Sequence, residues 1–302
     1  MRGEASASLG YDAYVVWLGE GRGELVDWLT QKWVQITGRR VVLAEAPWLA
    51  GPSGSVRGIG ADFFARWGES QGLQVLPADP DDGLFAGLIA LAGPSFDPQN
   101  VHPSIDDFYS HTAAYSLRIE SRWSGLFRAF GWLISWMFAR RLAQLNLPLA
   151  NHELNAGIES RIVRLVDAQG ELRHTAWVRQ VVETGRPAFV GEYGTVMIPG
   201  HIGPCIKVVF PLPNGNAIVV LRPRVDVLLG MSLVSDGRGF GDPGFYFTVL
   251  AEPGAVWARY VRAMKEELNL RAHDDAITAS HRFTVFGLPF LELRYDIARK
   301  CR

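Results

Sequence analysis

The chain has 302 residues, with 30 basic and 31 acidic side chains. Hydrophobic residues make up 48% and charged residues 20%, which excludes disorder, collagen-like repeats and coiled coil as the dominant state. A formal net charge of −1 provides no global attraction to nucleic acid and indicates no basic partner. We therefore expect a packed globular protein that does not bind nucleic acid.

Cysteine and histidine usage limits the chemistry of the chain. The cysteines are Cys205 and Cys301, so a disulfide framework or a cysteine-built metal site is not expected. The seven histidines are scattered without metal-ligand spacing, and no dinucleotide fingerprint is present. The apolar stretch Ala13–Leu18 is shorter than a signal-peptide core. We predict a cytoplasmic protein without a metal or cofactor.

Residues 1–100 are predicted to form a helical, loop-rich N-terminal region. Apolar side chains recur at helical spacing over Glu24–Ile36, and Val41–Ala44 is a candidate strand. Glycines over residues 51–60 precede a short helical stretch, residues 61–67, but match neither common phosphate-binding motif. We interpret this segment as an ordinary glycine-rich loop.

Residues 101–302 are predicted to form an antiparallel sheet, because apolar residues alternate with polar ones from Ala113 to Trp123 and short strands follow to the C-terminus. Asn214-Gly215 predicts a tight hairpin. The predicted strands after Trp123 are Ile158–Val166, Leu172–Val182, Ala188–Ile198, Cys205–Phe210, Ala217–Leu221, Leu228–Val234, Phe245–Leu250, Ile277–Phe286 and Phe290–Ile297.

Two helices are predicted within this domain, at residues 124–147 and 255–268. The first is apolar on nearly every side, so a buried position is favoured, while an interfacial helix at a membrane or the wall of a cavity or dimer interface are the alternatives. The fold class is therefore α+β. A large curled or barrel-like antiparallel β-sheet is covered by the long apolar helix and joined to the N-terminal region.

A polar cluster at residues 101–112 provides the first candidate site. Ser104 is placed to cap a short helix on which Asp107 and His111 lie four residues apart, and Tyr109 supplies a nearby phenol. A carboxylate beside an imidazole orients the ring and favours its protonated form. We predict that His111, Asp107 and Tyr109 form an acid–base site; an ordinary surface pair is the alternative.

The glycine-rich segment 235–246 provides a second candidate, since its glycines allow a loop to approach a ligand closely. Arg238 is suited to binding a carboxylate or phosphate, and Asp242 to holding that arginine. Tyr246 lies at the end of the same segment. We predict ligand binding by these three residues; a plain connection between strands is the alternative.

The strand Ala188–Ile198 provides a third candidate because its alternation places either Glu192 or Tyr193 inside the sheet. An interior Glu192 requires a partner such as Arg118 and is then a candidate acid, whereas an exposed glutamate on the sheet is the alternative. We also expect Trp132 and Trp136 of the apolar helix to contact a ligand.

Together these features predict that the sheet binds a small, largely apolar molecule in its interior. Catalysis, if present, is expected to be cofactor-free acid–base chemistry of the isomerase or cyclase type. Two alternatives are a non-catalytic carrier or sensor of hydrophobic compounds and a peripheral membrane protein.

Overall fold

The fold is described from a computed structural model of the chain, covering residues 25–54, 59–123, 158–182, 185, 187–273 and 276–300. Within these residues the α-helices are α1 (Leu25–Thr37), α2 (Phe63–Ser70) and α3 (Pro103–Ser110). The strands are β1 (Arg39–Val42), β2 (Gln74–Val75), β3 (Tyr115–Trp123), β4 (Ile158–Val166), β5 (Leu172–Val181), β6 (Pro187–Val196), β7 (Cys205–Leu212), β8 (Gly215–Val225), β9 (Met231–Val234), β10 (Gly244–Glu252), β11 (Ala255–Tyr260), β12 (Met264–His273), β13 (Ala276–Val285) and β14 (Leu288–Arg299).

The strands form one antiparallel sheet in the order β2-β4-β5-β6-β7-β8-β9-β12-β13-β14-β3. It branches at β8, whose first half pairs with β10 and whose second half pairs with β9, while β11 and β1 continue from β10. Cα atoms of β3 and β4 come within 8 Å of each other, but no strand pairing joins them in the described residues. The sheet is thus curled without being closed, and the prediction of a mainly antiparallel sheet is confirmed.

Both faces of the sheet are covered at β7. Along β7, Ile206 and Val208 face the interior, while Cys205 and Val209 pack outward against the N-terminal region. Strands buried on both sides lose simple alternation, which explains the continuous apolar run in this strand. Burial raises the pKa of the Cys205 thiol to about 12, as expected for an inert cysteine.

The predicted helix at 255–268 is wrong, since this segment forms β11 and the first half of β12. The Trp257, Val261 and Met264 spacing of three and four residues suggested a helix. In the structure, however, Val256, Ala258 and Tyr260 alternate onto one buried face with a period of two. Strand pairing of β11 with both β10 and β1 satisfies the backbone, and this tertiary context overrides the local pattern.

Two smaller expectations also need correction. Ser104 does not cap α3; His102 is the N-cap, and its Nδ1 accepts a hydrogen bond from the Ser104 backbone N–H. The strand predicted at Leu228–Val234 begins at Met231, because Leu228 and Leu229 adopt left-handed backbone conformations in a tight turn. The predicted apolar helix at 124–147 lies outside the described residues. The division into domains at residue 100 stays a prediction.

The β7–β8 hairpin forms at Asn214-Gly215 as predicted, with Asn214 in the left-handed region. A Cβ atom at Gly215 would lie 2.0 Å from the backbone oxygen of Thr248 on β10, so only glycine fits between these strands. We expect Gly215→Ala to lower the free energy of unfolding by about 1–3 kcal/mol. Gly194→Ala is the control, since a Cβ there meets nothing within 4 Å. Equal denaturation midpoints for the two variants would contradict this account.

Candidate functional site

The curled sheet encloses a cavity of about 160 Å³. Its wall is almost entirely apolar and comes from α3 and from strands on both halves of the sheet. The side chains that line it include Phe108, Tyr109, Leu117, Trp177, Arg179, Phe189, Tyr193, Val208, Phe210, Leu233, Phe245, Glu266, Leu268, Ala279, His281, Phe283, Leu293 and Tyr295. The prediction of an interior lined by aromatic and aliphatic groups thus matches the geometry of the sheet.

Arg179 on β5 is the buried cation of this cavity, and its side chain is enclosed by aromatic rings. The residue is 7% exposed. Its guanidinium carbon lies 3.7 Å from the ring centroid of Trp177 and 4.5 Å from that of Phe189. Such stacking stabilises a desolvated cation by roughly 2 kcal/mol or more. The rings therefore fix the position of the positive charge within an apolar wall.

Two tyrosines bring hydroxyl groups to the same charge. Tyr193 lies on β6 and Tyr295 on β14, and burial raises the pKa of both phenols. The guanidinium of Arg179 donates a hydrogen bond to each hydroxyl and lowers the pKa of each phenol, which offsets part of the effect of burial. With raised pKa values, both phenols stay protonated at neutral pH and can donate hydrogen bonds into the cavity.

A carboxylate–imidazole pair lies in the same cavity wall, close enough for Glu266 to act electrostatically on Tyr193 and Tyr295. Glu266 on β12 is 8% exposed, and its Oε2 lies 3.2 Å from Nε2 of His281 on β13. The His281 ring packs against Phe283, with 4.1 Å between the ring centroids. A buried carboxylate that contacts an imidazole can orient the ring and exchange a proton with it. This pair is the acid–base arrangement that the structure places inside the cavity.

The Asp107–His111 pair forms as the spacing predicts, but it does not line the cavity. Asp107 Oδ1 lies 3.0 Å from Nδ1 of His111, and Oδ2 accepts hydrogen bonds from Tyr115 (2.5 Å) and Arg299 (2.6 Å). Tyr109, in contrast, is a cavity residue. Asp107 thus connects α3 to β3 and β14, and the structure does not unite the three predicted catalytic residues at one site.

The third candidate separates into two faces of β6. Tyr193 faces the cavity, while Glu192 is buried on the outer face, where it forms a hydrogen-bonded pair with His174. Arg118 is exposed on β3 and does not approach Glu192. The expectation that an interior Glu192 would pair with Arg118 is therefore wrong. The outward position of Glu192 follows from the alternation of side chains along a strand.

The 235–246 segment is organised by its own hydrogen bonds. Asp242 accepts from the backbone N–H groups of Arg238 and Gly239, at 2.8 and 2.9 Å, rather than holding the Arg238 guanidinium. The Tyr246 hydroxyl donates to the backbone oxygen of Asp242, and its ring packs outside the cavity. Neither Arg238 nor Asp242 lines the cavity. Their predicted ligand contacts are thus not part of this site.

Trp132 and Trp136 lie outside the described residues. Sequence reasoning missed Arg179, Glu266, His281 and Tyr295, although one signal was available: Arg179 follows Trp177 by two residues in an apolar strand, so both face the same side. Glu266 was hidden by the mistaken helix at 255–268. No group of three or more metal-ligating side chains occurs in the part of the chain that the structure describes.

The chain is similar in sequence to a protein of Bacillus subtilis (strain 168) named "Uncharacterized membrane protein YndJ". The two are 26% identical over 249 residues. The match covers 80% of this chain and 41% of the relative, so the chain spans less than half of that protein's length. No protein-family model and no solved structure matches the chain. Among the described helices, none is long and apolar enough to cross a membrane.

Proposed function

We propose that the protein binds a small, largely apolar molecule in the cavity of its curled sheet. The observation that carries this proposal is the cavity inside the sheet, whose wall is apolar apart from a few placed polar groups. Ligand sites commonly combine these two features, because apolar walls supply affinity and polar groups fix orientation. A cavity formed only by imperfect packing would not require a buried arginine and a carboxylate–imidazole pair on its wall.

The cavity volume limits the size of the ligand. At about 160 Å³ it resembles the roughly 150 Å³ apolar cavities that stay dry and bind benzene. The ligand is therefore a compact molecule with the bulk of one aromatic ring or a short branched chain. The Bacillus subtilis relative is named a membrane protein, and apolar molecules partition into bilayers, so a membrane-associated setting is compatible with an apolar ligand.

Filling the cavity should remove ligand binding. Ala279 is a buried cavity residue on β13, and the ring of Ala279→Phe would project into the space that the ligand occupies. Thr278→Phe is the matched control, because the neighbouring side chain is exposed on the opposite face. We expect benzene, titrated calorimetrically into the full chain, to bind wild type and Thr278→Phe and to bind Ala279→Phe at least about tenfold more weakly. Absence of benzene binding to the wild type would overturn the proposal.

Acid–base catalysis on the bound molecule is a second candidate, favoured by the contact between Glu266 and His281. An enzyme would lose turnover in His281→Ala while keeping its ligand, whereas a carrier or sensor would show no turnover in either form. Native mass spectrometry of the freshly purified chain would identify a co-purifying molecule. That molecule would then serve as the substrate in the turnover assay. Recovery of an unchanged molecule after incubation with the wild type would favour the carrier.

A further inference from the structure

We propose that the ligand carries an anionic group, such as a carboxylate, and that Arg179 binds this group together with the hydroxyls of Tyr193 and Tyr295. This inference rests on the proposed function and specifies its ligand class. The ligand is then a compact organic acid, with an apolar body among the aromatic and aliphatic residues and its charge at one end of the cavity.

The first argument is that the charge of Arg179 is not balanced by an ion pair. None of the ion pairs within the described part of the chain involves this side chain, and its Nε atom has no hydrogen-bond partner there. A buried charge is costly unless it is paired and hydrogen-bonded. Stacking on Trp177 and Phe189 and hydrogen bonds to the hydroxyls of Tyr193 and Tyr295 compensate for part of this cost, but all four groups are neutral and the Nε–H stays without an acceptor. An anionic ligand would supply the counter-charge.

The second argument is the convergence of three donors from different walls. Arg179 and Tyr193 come from the adjacent strands β5 and β6, whereas Tyr295 comes from β14, near the other end of the strand order. They meet only because the sheet curls. All three present N–H or O–H donors, a composition that suits a carboxylate better than a neutral or cationic group.

The carboxylate of Glu266 does not form an ion pair with Arg179. It contacts His281 instead, within the same cavity wall. Glu266 also acts electrostatically on Tyr193 and Tyr295, so it lies close to the same polar cluster. Because Glu266 repels a second anion, the charged group of the ligand is directed toward the guanidinium side of this cluster.

Three probes of similar shape test this inference on the full chain. Benzene tests apolar binding alone, benzoate adds the anion, and benzamide replaces the anion with a neutral group of similar size. A hydrogen-bonded charge pair contributes about 1.5–3 kcal/mol, so benzoate should bind about 10- to 100-fold more tightly than benzamide. If benzene binds and benzoate has no advantage over benzamide, the inference is overturned and the proposed function stands. If benzene does not bind, both fail.

A variant assigns the effect to Arg179. Arg179→Met should remove the preference for benzoate over benzamide while benzene still binds. Arg118→Met, which removes an exposed arginine on β3, should leave the preference unchanged. A preference that survives in Arg179→Met would overturn the assignment. Should Arg179→Met fail to fold, the wild-type comparison of benzoate with benzamide by itself decides whether the cavity prefers an anionic ligand.

Discussion

Trp177→Ala is expected to lower the free energy of unfolding by about 3–5 kcal/mol, the range for removing a large buried aromatic side chain. Trp177 is 5% exposed, and its ring centroid lies 5.7 Å from Tyr193 and 6.2 Å from Phe108. It joins α3 to two strands and supports the Arg179 guanidinium. Its loss should therefore reduce stability and also weaken benzoate binding, as measured by guanidinium denaturation and calorimetry.

Trp177→Phe separates these two consequences. Phenylalanine keeps a ring under the guanidinium but cannot replace the hydrogen bond from Trp177 Nε1 to Ser160 Oγ. We expect a stability loss of about 1–2 kcal/mol and retained benzoate binding. Equal losses in the alanine and phenylalanine variants would show that the indole hydrogen bond, rather than the ring, carries the stabilisation.

The sequence predicts most strands because their signals are local. Alternation along Tyr115–Trp123 and the Asn214-Gly215 turn depend on neighbouring residues, so both appear where expected. The 255–268 segment fails because its apolar spacing fits a helix and a strand equally well, and pairing with the adjacent strands β10 and β13 and with the distant strand β1, which decides between them, cannot be read from that spacing.

The candidate site is less predictable, because it depends on curvature. Tyr193 was correctly recognised as one of two alternatives, yet alternation alone could not identify the interior face. Arg179 and Tyr295 are separated by more than a hundred residues, and only the curl of the sheet makes them neighbours. Local spacing instead drew attention to Asp107 and His111, which do contact each other but away from the cavity.

Glu192→Ala is expected to lower the free energy of unfolding by about 3–5 kcal/mol near neutral pH, because it breaks a buried charge cluster. Glu192 is 7% exposed on the outer face, bonded to His174, and its charge acts on Lys207. Lys207 Nζ donates a hydrogen bond to the Ala50 backbone oxygen at 2.9 Å, and this bond holds the ammonium group against the N-terminal region. Removing the carboxylate leaves this ammonium group without its counter-charge.

The sign of the pH dependence follows from Lys207. Burial lowers the pKa of Lys207 below 10.5, and Glu192 partly raises it again. Between the folded pKa and 10.5 the unfolded chain binds more protons, so this group makes stability rise with pH. Glu192→Ala removes the carboxylate that raises the pKa of Lys207, so this pKa falls further in the folded chain. The pH range over which stability rises then begins at a lower pH. The variant should therefore regain stability as the pH rises from the lowered pKa of Lys207 toward 10.5.

Lys207→Met in the Glu192→Ala background is the decisive comparison. It removes the uncompensated charge, so the double variant should be more stable than Glu192→Ala near neutral pH, and the difference should shrink as the pH rises toward 10.5. Other groups titrate in this range, including Cys205, whose raised pKa makes stability fall with pH, but they are common to both proteins. The difference between the two denaturation curves thus isolates Lys207. A difference independent of pH would show that Glu192 stabilises the outer face through its bond to His174 rather than through the ammonium charge.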